Sequence, residues 1–157
     1  MAEWQAQLAV VYTTAYAMLL GGVIGWEREL KQRPAGLRTH MLVAGAAALL
    51  VGLGDLLAVH FSAEEYRELM RVDPIRLIEA VVAAVGFLGA GAIFRRSGRG
   101  DVSGLTTAAS LLMVSAVGIA AGLRSYVLAL GATLLTLAVL VALNWFERRI
   151  ADGAPRE

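Results

Sequence analysis

The chain has no cysteine, only two histidines and only three prolines among its 157 residues. The first absence excludes disulfides, thiolate metal sites and thiol nucleophiles. His40 and His60 alone cannot build a His-rich zinc site within one chain. Charge is scarce as well. Charged residues make up 17% of the sequence, where a soluble domain carries about 25%. A formal net charge of +1 gives no global basic field, so nucleic acid is not an expected partner. No Ser/His/Asp or Cys/His grouping suggests nucleophilic catalysis, and an enzyme is not expected.

What is abundant is apolar. Hydrophobic residues reach 58% and the mean hydropathy is +0.65, above the roughly 45–50% of soluble domains. The 17 glycines fit close backbone approach between helices in a bilayer. The length suits one domain, and the expected class is an all-α polytopic membrane protein with the lipid bilayer as its first partner.

The stretch that organises the rest runs from Gly86 to Ser110, GFLGAGAIFRRSGRGDVSGLTTAAS. A glycine-studded apolar run breaks at Arg95, Arg96 and Arg99, then re-enters apolar sequence at Gly104-Leu105-Thr106-Thr107. A helical hairpin turning at a membrane face explains that pattern. Around it the sequence predicts five spans at about 7–26, 39–60, 74–94, 104–122 and 125–146, each near the ~20 residues that cross hydrocarbon. Together they form one transmembrane domain, 1–150, followed by a short charged tail, 151–157. The first run lacks a basic n-region and a small-residue cleavage site, so it reads as a retained helix.

Between the spans, 27–38 reads as a polar connection punctuated by Pro34 and Gly36, and 95–103 as a second basic loop. Residues 61–73 are acidic and amphipathic, with Ser62 and Glu65 at capping-box spacing, and predict a short helix on the membrane surface. Asp73-Pro74 reads as an N-cap followed by proline at the first helical position. Basic residues follow the first, third and fifth spans, which places the N-terminus outside and the C-terminus inside. Trp26, Phe94 and Trp145 fall at the inner boundary and Trp4 at the outer one, as aromatic belts.

Sliding the chain by 68 residues superposes Gly36-Leu37-Arg38-Thr39 on Gly104-Leu105-Thr106-Thr107. It also pairs Gly21 with Gly89, Trp26 with Phe94, Arg28 with Arg96, and Gly54 with Gly122. Two spans separate the copies, so the repeat is parallel: two hairpins and a closing helix. Chance similarity among Gly/Ala/Leu-rich spans is the alternative.

Three segments carry a resemblance: GGVIGWERELKQRPAGLRTHMLV (21–43), DPIRLIEAVVAAVGFLGAGAIFRR (73–96) and GLTTAASLLMVSAVGIAAG (104–122). In this order and spacing they resemble the MgtC/SapB family of bacterial inner-membrane proteins. The resemblance implies a multi-pass inner-membrane protein tied to magnesium homeostasis and growth at low magnesium. In pathogens it implies survival inside macrophages, with the F-type ATP synthase as a membrane-protein partner. Against the pattern, the chain is expected to be the transmembrane domain without the soluble C-terminal domain, and it has Glu79 where Gln is expected and Leu112 where Trp is expected.

Acids at hydrocarbon depth are costly and draw functional suspicion. Asp55 and Glu79 are the candidates for a metal ligand pair, with Mg²⁺ as ligand or cargo and no resident cofactor. The plainer alternative pairs Arg76 with Glu79 at i, i+3 and lets Asp55 reach the interface. Glu27, Arg28 and Arg38 bracket the first inner turn. They either anchor topology or bind an anionic group beside the helix N-termini at Gly36 and Gly104. Thr39, Thr106, Thr107 and Ser110 either cap and cross-link helices or line a polar path, and His40 either caps or meets the inner interface or, as the alternative, binds a metal. Gly86, Gly89 and Gly91 read as helix packing. Five spans enclose little, so a homo-oligomer is expected. The functional expectations are cation binding or conduction on one side, and a non-transporting regulator of another membrane complex on the other.

Overall fold

A computed structural model describes residues 3–61, 73–95 and 102–153. The expected surface helix over 61–73 lies almost wholly outside the described residues, as do Arg96, Arg99, Asp101 and residues 154–157. The side chains of Phe94 and Trp145 are likewise not described.

Five helices account for nearly all of the described chain. They are α1 (Glu3–Leu30), α2 (Leu37–His60), α3 (Pro74–Ala92), α4 (Leu105–Gly122) and α5 (Tyr126–Gly153). The first four are long and apolar enough to cross a membrane, and the apolar part of α5, Tyr126–Ala142, sits at the short end of the spanning range. The protein is therefore an all-helical membrane protein. Asp73 caps α3 through Oδ1, which accepts from Ile75 N–H at 3.0 Å, with Pro74 in the first turn. The α3–α4 connection closes on a two-residue antiparallel ladder, β1 (Phe94–Arg95) against β2 (Val102–Ser103). Gly104 follows at φ 94°, and a Cβ there would overlap the Ala92 carbonyl oxygen, so only glycine fits this turn.

Helix α1 runs past the expected end of its span. Glu27 and Arg28 sit in its last turn and not in a loop. It ends in a Schellman motif: Arg33 N–H bonds the Arg28 carbonyl at 3.0 Å, Gln32 N–H bonds the Glu29 carbonyl at 2.9 Å, and Gln32 takes φ 50°. Pro34 then blocks continuation. The end of α4 repeats the device, with Ser125 bonded to Ala120, Arg124 bonded to Ala121, and Arg124 at φ 59°.

Helix α2 is clamped from two sides by glycine pairs at GxxxG spacing. On α1, a Cβ at Gly21 would lie 2.6 Å from the His40 carbonyl oxygen, and one at Gly25 would lie 2.8 Å from Leu37 Cα. On α4, a Cβ at Gly118 would overlap the Ala44 carbonyl, and one at Gly122 would lie 2.9 Å from that of Ala48. Lipid tails are as apolar as the side chains, so association rests on this close packing and not on removal from water. Ala44, Ala47 and Ala48 supply the matching small surface and are almost wholly buried.

The contacts also fix direction. Along α2 and α4, His40 meets Ser110, Ala44 meets Gly118, and Val51 meets Gly122, so these helices run parallel. Along α1 and α5, Tyr16 meets Tyr126 and Lys31 meets Leu140, again parallel. The 68-residue repeat is present in the packing. Gly21 faces His40 in the first hairpin, and Gly89 faces Ala108, its exact counterpart by that shift, in the second. Both hairpin turns thus lie at one end of the bundle, the turn end. Helix α3 packs mainly on α4, and its Phe87 is 82% exposed.

Candidate functional site

The turn end concentrates the polar side chains that the apolar spans exclude elsewhere. Carrying α1 one turn beyond Trp26 swings Glu27 and Arg28 into the bundle, while Trp26 and Leu30 stay on its outer surface. Arg28 is only 2% exposed, and its Nη2 donates to Thr107 Oγ1 at 3.2 Å. Glu27 is buried beside it and pairs with Lys31 one turn on, with Arg28 Nη1 at 3.9 Å. Lys31 Nζ also donates to the Leu140 carbonyl at 3.2 Å, which ties α1 to α5.

His40 is fully buried between α2 and α4. Its Nδ1 lies 2.9 Å from the Gly36 carbonyl and its Nε2 lies 3.0 Å from Ser110 Oγ. A carbonyl only accepts, so Nδ1 carries a proton there. Ser110 Oγ in turn donates to the Thr107 carbonyl at 2.8 Å. One connected set of polar groups therefore joins α1, α2, α4 and α5. Glu29 completes the turn by accepting from Leu37 N–H at 2.7 Å, capping the start of α2 from across the loop.

A cavity of about 350 Å³ opens beside this network, within the roughly 300–1,000 Å³ range of small-ligand sites. Arg28, Arg33, Thr107 and the first turn of α4 line it.

The sequence candidates divide between two ends. Glu27, Arg28, His40, Thr107 and Ser110 come together in the buried network. Arg38, Thr39 and Thr106 are at the same end but exposed. Thr39 and Thr107 are equivalent in the repeat, yet only Thr107 faces inward. Asp55 and Glu79 are both exposed, and neither makes a hydrogen bond or ion pair with another described residue. Arg76 leans on Asp73 at 3.7 Å, not on Glu79 as the spacing suggested. Among the described residues no group of three His, Asp or Glu side chains converges as metal ligands. Of the three glycines read as packing, Gly89 faces Ala108 while Gly86 and Gly91 face open space. The functional contacts missed in the sequence are Lys31 and the clamping pairs Gly21/Gly25 and Gly118/Gly122. The GxxxG spacing of those pairs was a readable signal.

Fold and site define a class: a multi-pass helical membrane protein whose spans are stapled near one end by buried charged and hydroxyl groups. The MgtC family model matches residues 15–149, and the chain belongs to that family. Among curated relatives it is 36% identical over 155 residues to protein SapB of Bacillus subtilis, covering 99% of this chain and 65% of that protein. It is 38% identical to protein SrpB of Synechococcus elongatus, over 90% of this chain and 78% of that protein. It is 39% identical to protein MgtC of Salmonella typhimurium, over 85% of this chain and 52% of that protein. The chain thus spans about two thirds of SapB and about half of MgtC. No solved structure matches.

Proposed function

We propose that this MgtC-family protein serves adaptation to low magnesium in the bacterial inner membrane as a non-transporting regulator that acts by contacting another membrane protein. The observation that carries this reading is the packing of α2. Glycines on α1 and α4 bring their backbones against it on both sides, which leaves no room for a hydrated ion between α2 and these two helices at those contacts. The carboxylates suspected of cation handling stand apart on the exposed surface. Meanwhile α3 leaves Gly86, Phe87, Leu88 and Gly91 exposed, and open glycines on a helix admit the close approach of another helix. The F-type ATP synthase is the partner suggested by the family resemblance.

Cation conduction remains the second reading, and it requires a pore between copies. Two measurements separate them. Purified protein in proteoliposomes is expected to give no Mg²⁺ or proton flux above protein-free vesicles. A photo-crosslinker at Phe87 in native membranes is expected to capture a different membrane protein. Flux that Asp55→Asn and Glu79→Gln abolish, with crosslinks only between copies, would establish the pore instead.

A further inference from the structure

We propose that a groove on the outward-facing side of the first hairpin holds the acyl chain of one bound phospholipid, whose headgroup carries both a phosphate and a primary ammonium. The inference rests on α1 and α2 alone and is independent of the partner proposed above.

Gly21 and Gly25 draw α1 against α2, and Gly22 stands one position off that contact line. With no side chain there, a cleft of about 360 Å³ is left between the two helices. Gly22 forms its floor with Leu37 and Met41 of α2, where a Cβ would lie 3.1 Å from Met41 Cγ and 3.5 Å from Leu37 Cδ1. Leu19, Val23 and Trp26 of α1 form the wall, each half exposed or more. Among the described residues only α1 and α2 line it, because α1 turns Arg28 toward α4 and turns Tyr16 and Lys31 toward α5.

The lining is apolar almost throughout and lies on two helices long enough to span a membrane. An open apolar cleft at that depth is filled by hydrocarbon and not by water. From Trp26 to Leu19 it follows α1 for seven residues, which is about 10 Å. That shape takes a chain laid along the helix.

Two charges mark the end at which the headgroup lies. The Glu29 carboxylate is fixed at the head of the groove, since Oε2 accepts from Leu37 N–H at 2.7 Å. Arg38 is the next residue of α2 and is exposed. Neither forms an ion pair with another described residue. Trp26 adds an indole at the same end, the side chain favoured at headgroup depth. A carboxylate and a guanidinium together complement a zwitterion: Arg38 takes the phosphate and Glu29 the ammonium. A glycerol headgroup leaves Glu29 without a counter-charge, and a trimethylammonium has no N–H to donate.

The test places the purified full chain in a mixture of phosphatidylethanolamine, phosphatidylglycerol and phosphatidylcholine with identical acyl chains, and counts retained lipid by native mass spectrometry. One phosphatidylethanolamine per chain is expected, in preference to the other two. Gly22→Leu, which fills the floor, and Val23→Phe, exposed and clear of the core, should each remove it. Leu135→Phe, on the exposed face of α5, should not. Arg38→Gln should weaken retention about threefold, the scale of an exposed ion pair. Glu29→Gln keeps an acceptor for Leu37 N–H and should abolish the preference over phosphatidylcholine.

No retained lipid, or equal retention of all three, overturns the inference. So does a loss in Leu135→Phe as large as in Val23→Phe, because that reports the general lipid shell and not a site. A lipid-free dimer that Val23→Phe dissociates overturns it as well, and gives the groove to a second copy.

Discussion

Arg28 on α1 reaches Thr107 on α4 across 3.2 Å and 79 positions of sequence. That bond joins the two hairpins at the point where each turns, and it sits among groups almost sealed from solvent. Thr107→Val removes one side-chain partner and should cost about 0.6 to 1.7 kcal/mol, the range for hydrogen bonds between membrane helices. Arg28→Met should cost more, about 3 kcal/mol, because Glu27 then keeps only Lys31 as counter-charge in a buried setting. Reversible unfolding in mixed micelles measures both. A double variant no worse than Arg28→Met alone would confirm that the two residues act as one unit.

Ser110 stands between His40 and the Thr107 carbonyl, 3.0 Å from one and 2.8 Å from the other. Its single proton cannot serve both partners. Ser110→Ala leaves His40 Nε2 buried with nothing to bond, and should destabilise by about 1–3 kcal/mol. His40→Ala costs packing as well, and should exceed the serine variant. Equal, negligible losses in thermal unfolding of the detergent-solubilised protein would mean that water reaches the ring.

Two helical glycines should respond in opposite ways. Gly118→Ala drives a Cβ into the Ala44 backbone, which cannot yield without moving α2 off α4, so a clear loss of stability is expected. Gly91→Ala meets open space inside a helix and should stabilise by about 0.5–1 kcal/mol through helix propensity alone. Loss of stability at Gly91 in the isolated protein would show that α3 already packs against a second copy.

That contrast also shows how much was legible beforehand. Helix number, helix type and the 68-residue repeat follow from apolar run length and from the recurrence of Gly-Leu-x-Thr, which are local properties, although only four of the five helices are long and apolar enough to span. The direction of Arg28 does not. It depends on α1 continuing one turn past Trp26, and that turn is held by Thr107 and Leu140, distant partners invisible to spacing. Composition marked Gly86, Gly89 and Gly91 as equal, but a helix has faces, and only Gly89 points at a neighbour. Asp55 and Glu79 drew attention as acids in apolar runs. Their exposure follows from packing on the other faces of α2 and α3, and nothing local announces it.

Both Schellman turns place a residue with a Cβ in the left-handed region, where glycine carries no steric cost. Arg124→Gly should therefore raise stability, by about 0.5–1 kcal/mol after allowing for the freer unfolded chain. Gln32→Gly should behave alike, although Gln32 also lines the cavity. Thermal midpoints in detergent provide the check. A fall at Arg124 would mean that its side chain, not its backbone, holds the α4–α5 turn.

Orientation follows from where the basic residues lie once the fold is in hand. The hydrogen bonds from Arg28 to Thr107 and from His40 to Ser110 bring both hairpin turns to one end, so Lys31, Arg33 and Arg38 share it with the α3–α4 turn. Positive residues flanking spans are retained on the cytoplasmic side, so this end should face the cytoplasm and Glu3 the other compartment. Arg38 and His60 are exposed near opposite ends of α2, which makes them suited to single-cysteine labelling in a chain with no cysteine of its own. An impermeant maleimide applied to intact spheroplasts should modify His60→Cys and leave Arg38→Cys untouched until the membrane is opened. The reverse pattern would invert the topology and place the turn-end cavity on the outer face.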